Sequence, residues 1–503
     1  MTYLLLKLKN LGNPPEFWEY FEKISKIPHC SGYEGLIRNY IKDEAEKFNF
    51  ETKIDKVGNL LVRIPSKSNI KSKVILQSHL DMVCEKNDNT THEFSTDSLK
   101  LKVIEIDGKK WVTADGTTLG ADNGTGIASQ LAIMKKNHSG ELEFGHLGID
   151  LLFTIDEESG MTGAYQIDEY MINGNQLVNL DGIQDNVITI GSVGMIHSSL
   201  EVKLERININ KEEELEVVKI IISGLLGGHS GGDINRGRAN AIKLIARILL
   251  KLSGKYSIYI NSINGGKADN AIPREANSIV YVKKKEVAEI SNYVNTLSTE
   301  LKNEFSSTDN EIEISIQKLD NFNNFNEVFS KEIQNKILNV LYIMPNGPIS
   351  MHPDIADLVF TSSNLASITT KKNRMIIITS QRSFEEYSYK VVHEKITALF
   401  SLAELDFKFK NTGSVGSWNP DISSNLLKVS KDTYKELFNE DIKVQVIHAT
   451  LETGLLKLKF PKIDIVSFSP KIEGAHSPSE RLDVKSVEKT WKFLLGVLNN
   501  LSS

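Results

Sequence analysis

The sequence predicts an α/β protein with a mostly parallel central sheet, interrupted by a long inserted α+β domain. Three observations predict it. Between residues 1 and 191, short aliphatic runs such as "VILQSHL" and "IDLLFTIDEES" alternate with amphipathic patterns, as in a parallel sheet covered by helices. From 192 to 411 the strands alternate polar and apolar residues, as in "NSIVYVKKKEV", the pattern of a sheet with one solvated face. From 412 to 503 the buried-run texture returns in "IKVQVIHA" and "KIDIVSFSPK". The expected organisation is therefore one α/β domain in two parts, 1–191 and 412–503, around an insert at 192–411.

The first helix is signalled by Asn13 as its cap and Pro14 at the first helical position, where a missing N–H costs nothing. Phe17, Trp18, Phe21 and Ile24 form its apolar face, and Pro28 ends it. Ser31 and Glu34 have capping-box spacing, and Leu36, Ile37, Tyr40, Ile41, Ala45 and Phe48 make the stripe of a second helix. "NLLVRIP" and "VILQSHL" read as strands, and "GADNGTGIASQLAIMKK" as a Gly-rich turn feeding a helix. "IDLLFTIDEESG" and "NQLVNLDG" read as two more buried strands. In the insert, "RANAIKLIARILLKL" and "ISNYVNTLSTELKNEF" are helices, and "EVVKIIISG", "EIEISIQKL" and "RMIIITSQRSF" are strands. A charged helix at 424–438 follows the insert.

Bulk properties exclude several classes. A chain of 503 residues with 40% hydrophobic and 25% charged residues is globular and multidomain. A net charge of −6 gives nucleic acid or an anionic membrane no electrostatic reason to bind. The apolar run in "MTYLLLKLKN" is shorter than a secretory core, and no stretch approaches the ~18 apolar residues of a membrane span. The expected location is cytoplasmic, with Cys30 and Cys84 as free thiols in a reducing compartment.

The strand ends carry the chemistry. "VILQSHLD" ends on His79 and Asp81, "LLFTIDEES" on Asp156, Glu157 and Glu158, and "LVNLDG" on Asp181. "TLGADNGTG" sets Asp122 at a helix start, and "IDIVSFSPKIEGAHS" sets His476 in a loop after the last strand. Any one of the acidic residues alone reads more simply as a solvated strand-end residue, and His476 alone as a surface-loop histidine as readily as a ligand. Jointly they differ, because the carboxyl ends of parallel strands form one crevice. Clustered carboxylates repel one another and lose solvation unless cations are present. A mixed His/carboxylate set suits Zn²⁺, and its size suits two ions about 3.5–4 Å apart. Glu157 and Glu158 point opposite ways on an extended segment, so one can bind metal while the other serves as a free base.

These residues also carry a resemblance. "LQSHLDMVCEKN", "DGTTLGADNGTGIA", "FTIDEESGMTGA", "LLGGHSGGDINRGRANA", "VIHATLETGLL" and "GAHSPSERLDV" resemble the co-catalytic zinc peptidase family that includes carboxypeptidase G and carnosinase, and within it the aminoacyl-histidine dipeptidases. The likeness runs nearly end to end. It implies a cytosolic zinc-peptidase catalytic domain with an inserted lid and dimerisation domain, acting as a homodimer on short unblocked peptides, Xaa-His included. It implies that His79 and Asp181 hold one metal ion, that Glu158 and His476 hold the other, and that Asp122 bridges them. Zn²⁺ is the implied ion, with Mn²⁺ or Co²⁺ accepted by the same ligands. Asp81 would orient His79, and Glu157 would be the general base. His229 would stabilise the oxyanion, in cis or from the partner subunit, and Asn270 and Arg382 would hold the substrate carboxylate.

Three departures stand out: Ser78 where the family has Gly, His29 where it has Arg, and "GSVGSWNPD" in place of a "YPGW" pattern. None removes an expected ligand or the base. The rival readings are a tripeptidase or N-acyl amino acid deacylase with the same site, and a non-catalytic metal-binding relative. A binding site has no need of a free base such as Glu157, which argues against the last.

Overall fold

The computed structural model describes residues 8–67, 72–209, 214–319 and 327–502, so the apolar run at 1–7 lies outside the described residues. The chain forms two compact units, one of residues 1–191, 420–446 and 451–503, the other of 192–419 and 447–450.

The first unit opens with helix α1 (Pro15–Ile24), which buries Phe17, Trp18, Tyr20, Phe21 and Ile24. It starts one residue later than the Asn13–Pro14 signal predicts, and it ends at Ile24, ahead of Pro28. A residue that precedes proline is driven out of helical geometry. Pro14 precedes Pro15 and is extended (φ −79°, ψ 149°), so Pro15 takes the first helical position. Helix α2 (Gly35–Lys47) buries Ile37, Ile41 and Ala45, but Leu36 is exposed. No capping box forms. The Ser31 hydroxyl donates to Asp81 instead, and the Glu34 carboxylate accepts from the N–H groups of Gly32 and Asp156. Tertiary donors outcompete the local cap.

The central sheet has eight strands. β1 (Glu51–Ile54), β2 (Leu60–Ile64) and β3 (Ser72–His79) enter it directly. β4 (Leu101–Ile106) and β5 (Lys109–Ala114) form a hairpin in a separate four-stranded sheet. Helix α3 (Ala121–His138) then leads to β6 (Leu147–Thr154), β7 (Gln176–Asn179) and β8 (Val187–Ser192). The order is β1, β2, β6, β3, β7, Asp464–Ser467, β8, Lys443–Ile447. β6, β3, β7 and Asp464–Ser467 are mutually parallel. Every residue of β6 is buried, as expected of a strand covered on both faces.

The expected free thiols are instead a disulfide, Cys30–Cys84, with Cα atoms 5.7 Å apart. Compartment statistics gave the opposite expectation, but local geometry brings the pair together. The segment after α1 lies along the segment after β3, with Cys30 bridging Met82 and Met82 N–H donating to the His29 carbonyl at 3.1 Å. That spacing falls in the usual bonding range.

The second unit is built on a nine-stranded sheet. Its order is Glu313–Lys318, Leu215–Ser223, Ala276–Lys283, Tyr259–Gly265, Val359–Thr370, Arg374–Ser383, Gly194–Lys203 and Phe407–Val415, with Gly347–Met351 beside Val359–Thr370. Its recorded pairings are antiparallel. Helices Ala241–Lys255, Val287–Glu304, Lys331–Ile343 and Glu386–Leu402 share one apolar core with it, through residues such as Ile245, Val294, Leu338 and Ile396. This is the α+β layer that the alternating strands predict. The chain stays in this unit past 411, because Phe407–Val415 pairs along Gly194–Lys203 and Trp418 exchanges two 2.9 Å hydrogen bonds with Ser192.

Candidate active site

Three parallel strands end side by side, and each hands a short polar segment to the same crevice. β3 ends on His79, β6 runs into Glu157 and Glu158, and β7 into Asp181. The register aligns His79 with Thr154 and Gln77 with Asn179, so their continuations emerge at one level.

Asp81 organises the floor. Its Oδ1 accepts the Glu157 N–H at 2.9 Å, and its Oδ2 accepts the Glu158 N–H at 3.0 Å and the Ser31 hydroxyl at 2.7 Å. His79 Nδ1 lies 2.9 Å from the Asp81 carbonyl and 3.3 Å from Asp81 Oδ1. With Nδ1 donating there, Nε2 keeps its lone pair for the crevice.

Asp122 sits at the centre. Its Oδ1 is 3.1 Å from His79 Nε2, which is also 3.8 Å from Asp181 Oδ1. Its Oδ2 is 3.3 Å from His476 Nε2. Glu158 Oε1 is 2.9 Å from that same Nε2, yet out of line for a hydrogen bond. One carboxylate thus turns one oxygen toward His79 and Asp181 and the other toward His476 and Glu158. His79, Asp122 and Glu158 each offer a ligand atom, all within 4.8 Å of one another. This donor set fits divalent cations.

The electrostatics agree with that fit. Burial, and then neighbouring carboxylates, push Glu157 and Asp181 far above the usual carboxyl range, and Glu158 is raised chiefly by burial. The Asp122 and Glu158 carboxylates beside it lift His476 to about 11. Burial opposes charge on His79, but Asp122 and Asp81 hold it well above an ordinary imidazole. Burial also works against Asp81, but His79, Ser31 and the Glu157 N–H hold it down to about 2. The raised carboxyls can ionise together only beside added positive charge.

In the second unit, the three expected substrate residues meet around Ser230. Its N–H donates to the Asn270 carbonyl at 2.8 Å, and its hydroxyl accepts from Arg382 Nη2 at 3.2 Å. His229 is the preceding residue, pairing with Ala271 across a short ladder. His229 Nδ1 accepts from the N–H groups of Gly231 and Gly232 at 3.2 and 3.0 Å. The neutral ring therefore carries its proton on Nε2. Gly231 is required there, since a Cβ would stand 2.2 Å from the His448 carbonyl oxygen. Arg382 is 2% exposed, and its Nε and Nη1 have no hydrogen-bond partner among the described residues.

Several residues in the crevice were not singled out from sequence. Ser31 donates to the Asp81 carboxylate, and Glu34 accepts the Asp156 N–H, in place of the helix cap their spacing suggested. Glu452 is buried against Gln77 and Thr154, and burial lifts it to about 7. Glu480 accepts four backbone N–H groups from the segment that carries Asp122. The last two lie inside "VIHATLETGLL" and "GAHSPSERLDV", two of the motifs that carry the resemblance, of which only His476 had been singled out. Of the departures from the family pattern, Ser78 is buried and accepts from Gln130 at 2.6 Å, and His29 is buried with Nδ1 2.5 Å from the Ile27 carbonyl oxygen.

Comparison with known proteins places this geometry. A model described as peptidase family M28 matches residues 59–215, and one described as the peptidase dimerisation domain matches residues 220–309. The cytosol non-specific dipeptidase of Escherichia coli K12 is 34% identical over 491 residues, covering 97% of this chain and 98% of that one. The chain belongs to that dipeptidase family. Its members are peptidases, and this chain is a peptidase of the metal-dependent hydrolase type. The solved aminoacylhistidine dipeptidase from Vibrio alginolyticus is 33% identical, with a TM-score of 0.81 and 97% of each chain covered. Human carnosine dipeptidase 1, at 13% identity and a TM-score of 0.53, covers 100% of this chain and 99% of its own and shares the fold. No helix among the described residues is long and apolar enough to cross a membrane.

Proposed function

We propose that this protein is a two-metal dipeptidase that hydrolyses unblocked dipeptides, Xaa-His included. The observation that carries the reading is Asp122, whose two oxygens face two separate donor groups, His79 with Asp181 and His476 with Glu158. Those five residues would hold two divalent ions, Zn²⁺ first, with Mn²⁺ or Co²⁺ as alternatives. The ions, when bound, supply Lewis acidity that acidifies water and polarises a peptide carbonyl.

The chain's own residues supply the rest. Glu157 is a half-buried carboxyl beside the five ligands, next in the chain to Glu158, and its raised proton affinity suits a general base. It takes a proton from the attacking water and returns it to the leaving amine. Asp81 fixes the His79 ring and the backbone of Glu157 and Glu158 together. In the second unit, His229 Nε2–H is suited to donate to an oxyanion. Arg382, with two unused donors, and Asn270 are suited to the carboxylate end of a short peptide. The dimerisation-domain match and the name of the Escherichia coli relative support a cytosolic homodimer.

Metal-stripped enzyme, with Zn²⁺, Mn²⁺ or Co²⁺ added back, is tested on β-Ala-His, Gly-His, Leu-Leu, a tripeptide and an N-acetylated dipeptide. Metal-dependent release of amino acids from the dipeptides alone is expected. Glu157→Gln should lower turnover by about 10²–10⁴-fold while retaining bound metal. Near-normal activity in that variant refutes the assigned base, and preference for the tripeptide or the blocked substrate refutes the dipeptidase reading.

A further inference from the structure

Helix α3 is preceded by Gly120, which has a left-handed φ of 68° and no side chain with which to cap the helix. The N–H groups that lead into it are nonetheless satisfied. Glu480, about 360 residues downstream, accepts Leu119 N–H at 2.8 Å and Gly120 N–H at 3.1 Å on Oε2. It accepts Ala121 N–H at 2.8 Å and Asp122 N–H at 3.4 Å on Oε1. The side chain is almost fully buried, and among the described residues no cationic group pairs with it. Four consecutive N–H groups form a cradle for one carboxylate.

The backbone of Glu480 is fixed independently. Its N–H donates to the Ser477 carbonyl at 3.0 Å, and its own carbonyl accepts the Thr113 hydroxyl at 2.6 Å. That ties it to β5 and to the Ser477–Glu480 turn that directly follows His476. The same residue therefore grips the segment carrying Asp122 with its side chain and the loop carrying His476 with its main chain. The geometry points to Glu480 as a positioning residue that sets the Asp122–His476 separation, and through it the affinity of the site for the metal ion those two residues would share. The inference rests on reading Asp122 and His476 as ligands.

A purely structural role would act on folding and leave the affinity of the folded protein alone. A positioning role moves affinity, because a misplaced ligand costs about 10–100-fold in metal binding. Glu480→Gln keeps the shape but offers one acceptor oxygen, and its amide nitrogen faces two N–H donors. The full-length variant is compared with the parent by zinc competition against a chelator, by the visible spectrum of the Co²⁺ form, and by melting of the metal-free protein. Expected are a zinc affinity weaker by about 10–100-fold, an altered cobalt spectrum, and a folded metal-free chain. Parental affinity and spectrum overturn the proposal. So does failure of both Glu480→Gln and Glu480→Asp to fold without metal, which would make the role structural. Asp122→Ala separates the two claims: if it binds metal like the parent, the ligand reading itself fails. If it loses metal while Glu480→Gln does not, only the positioning role fails.

Discussion

Replacing Asp81 with Asn tests how much of the site hangs on one carboxylate. The native group has two acceptor oxygens serving Glu157 N–H, Glu158 N–H and the Ser31 hydroxyl, with His79 Nδ1 at 3.3 Å. Asparagine keeps one oxygen and turns an NH₂ toward the other donors. In its better orientation the oxygen stays with Glu157, the Ser31 hydroxyl rotates to accept, and the Glu158 N–H is left without a partner. A lost charged hydrogen bond is worth about 1.5–3 kcal/mol, and a stranded buried N–H about 1–3 kcal/mol. Since the two costs overlap, the metal-free protein should lose about 3 kcal/mol. Loosening His79 and Glu158 together should also weaken metal binding or turnover by about 10–100-fold. Urea unfolding of the metal-free chain measures the first effect. Chelator competition and dipeptide turnover measure the second. An Asp81→Asn protein with parental stability, zinc affinity and activity would refute the view that this residue binds the base segment and the ligand ring into one body.

Two further perturbations probe parts remote from the metal ligands. Trp18 is fully buried, with its ring 5.0 Å from Phe17 and 6.3 Å from Phe21; Trp18→Ala should cost about 3–5 kcal/mol in urea unfolding, and a loss under about 1 kcal/mol would mean that α1 is not part of the core. Burial, and then the charge of Arg382, push His448 down to about 3 from 6.5 for a free imidazole. Between those values the unfolded chain binds a proton that the folded chain refuses. Stability from this group is therefore full above pH 6.5 and falls as the pH drops toward 3, by up to about 1.4 kcal/mol per pH unit. His448→Asn, which keeps an acceptor for Ser362, should flatten the fall in unfolding midpoint between pH 6.5 and 5; an unchanged slope would assign it elsewhere.

Much of the catalytic unit was legible because its signals are local. A buried strand that stops on His or Asp is a pattern within eight residues, and three such stops meet because parallel strands share an end. The insert was legible from its change of strand texture. What sequence misread was local chemistry overruled by distant partners. Ser31 and Glu34 have the spacing of a cap, but Asp81 and Asp156 claim them. Asn13 and Pro14 have the look of a helix start, but Pro15 forbids helical geometry at Pro14. Glu480 and Glu452 carry no local mark at all, since each acts on a strand end or helix start some 300 or more residues away in the chain. Cys30 and Cys84 were judged by compartment, whereas their pairing follows from two segments lying side by side.

The hydrogen-bonded pair Ser192–Trp418 bears on how such a chain can change over time. Apart from residues 447–450, the second unit is one stretch of more than two hundred residues that leaves and returns through one antiparallel bridge, with both N–H···O bonds at 2.9 Å. To the sheet that hosts it, the excursion is closed at its base like an ordinary hairpin. Loop-closure cost grows only with the logarithm of length, so such a gate tolerates very different cargoes at nearly the same cost to the host. Variation could therefore reshape or lengthen the excursion between those two residues, provided that the part that receives residues 447–450 is kept. The strand ends that carry the acidic residues would be left in register throughout.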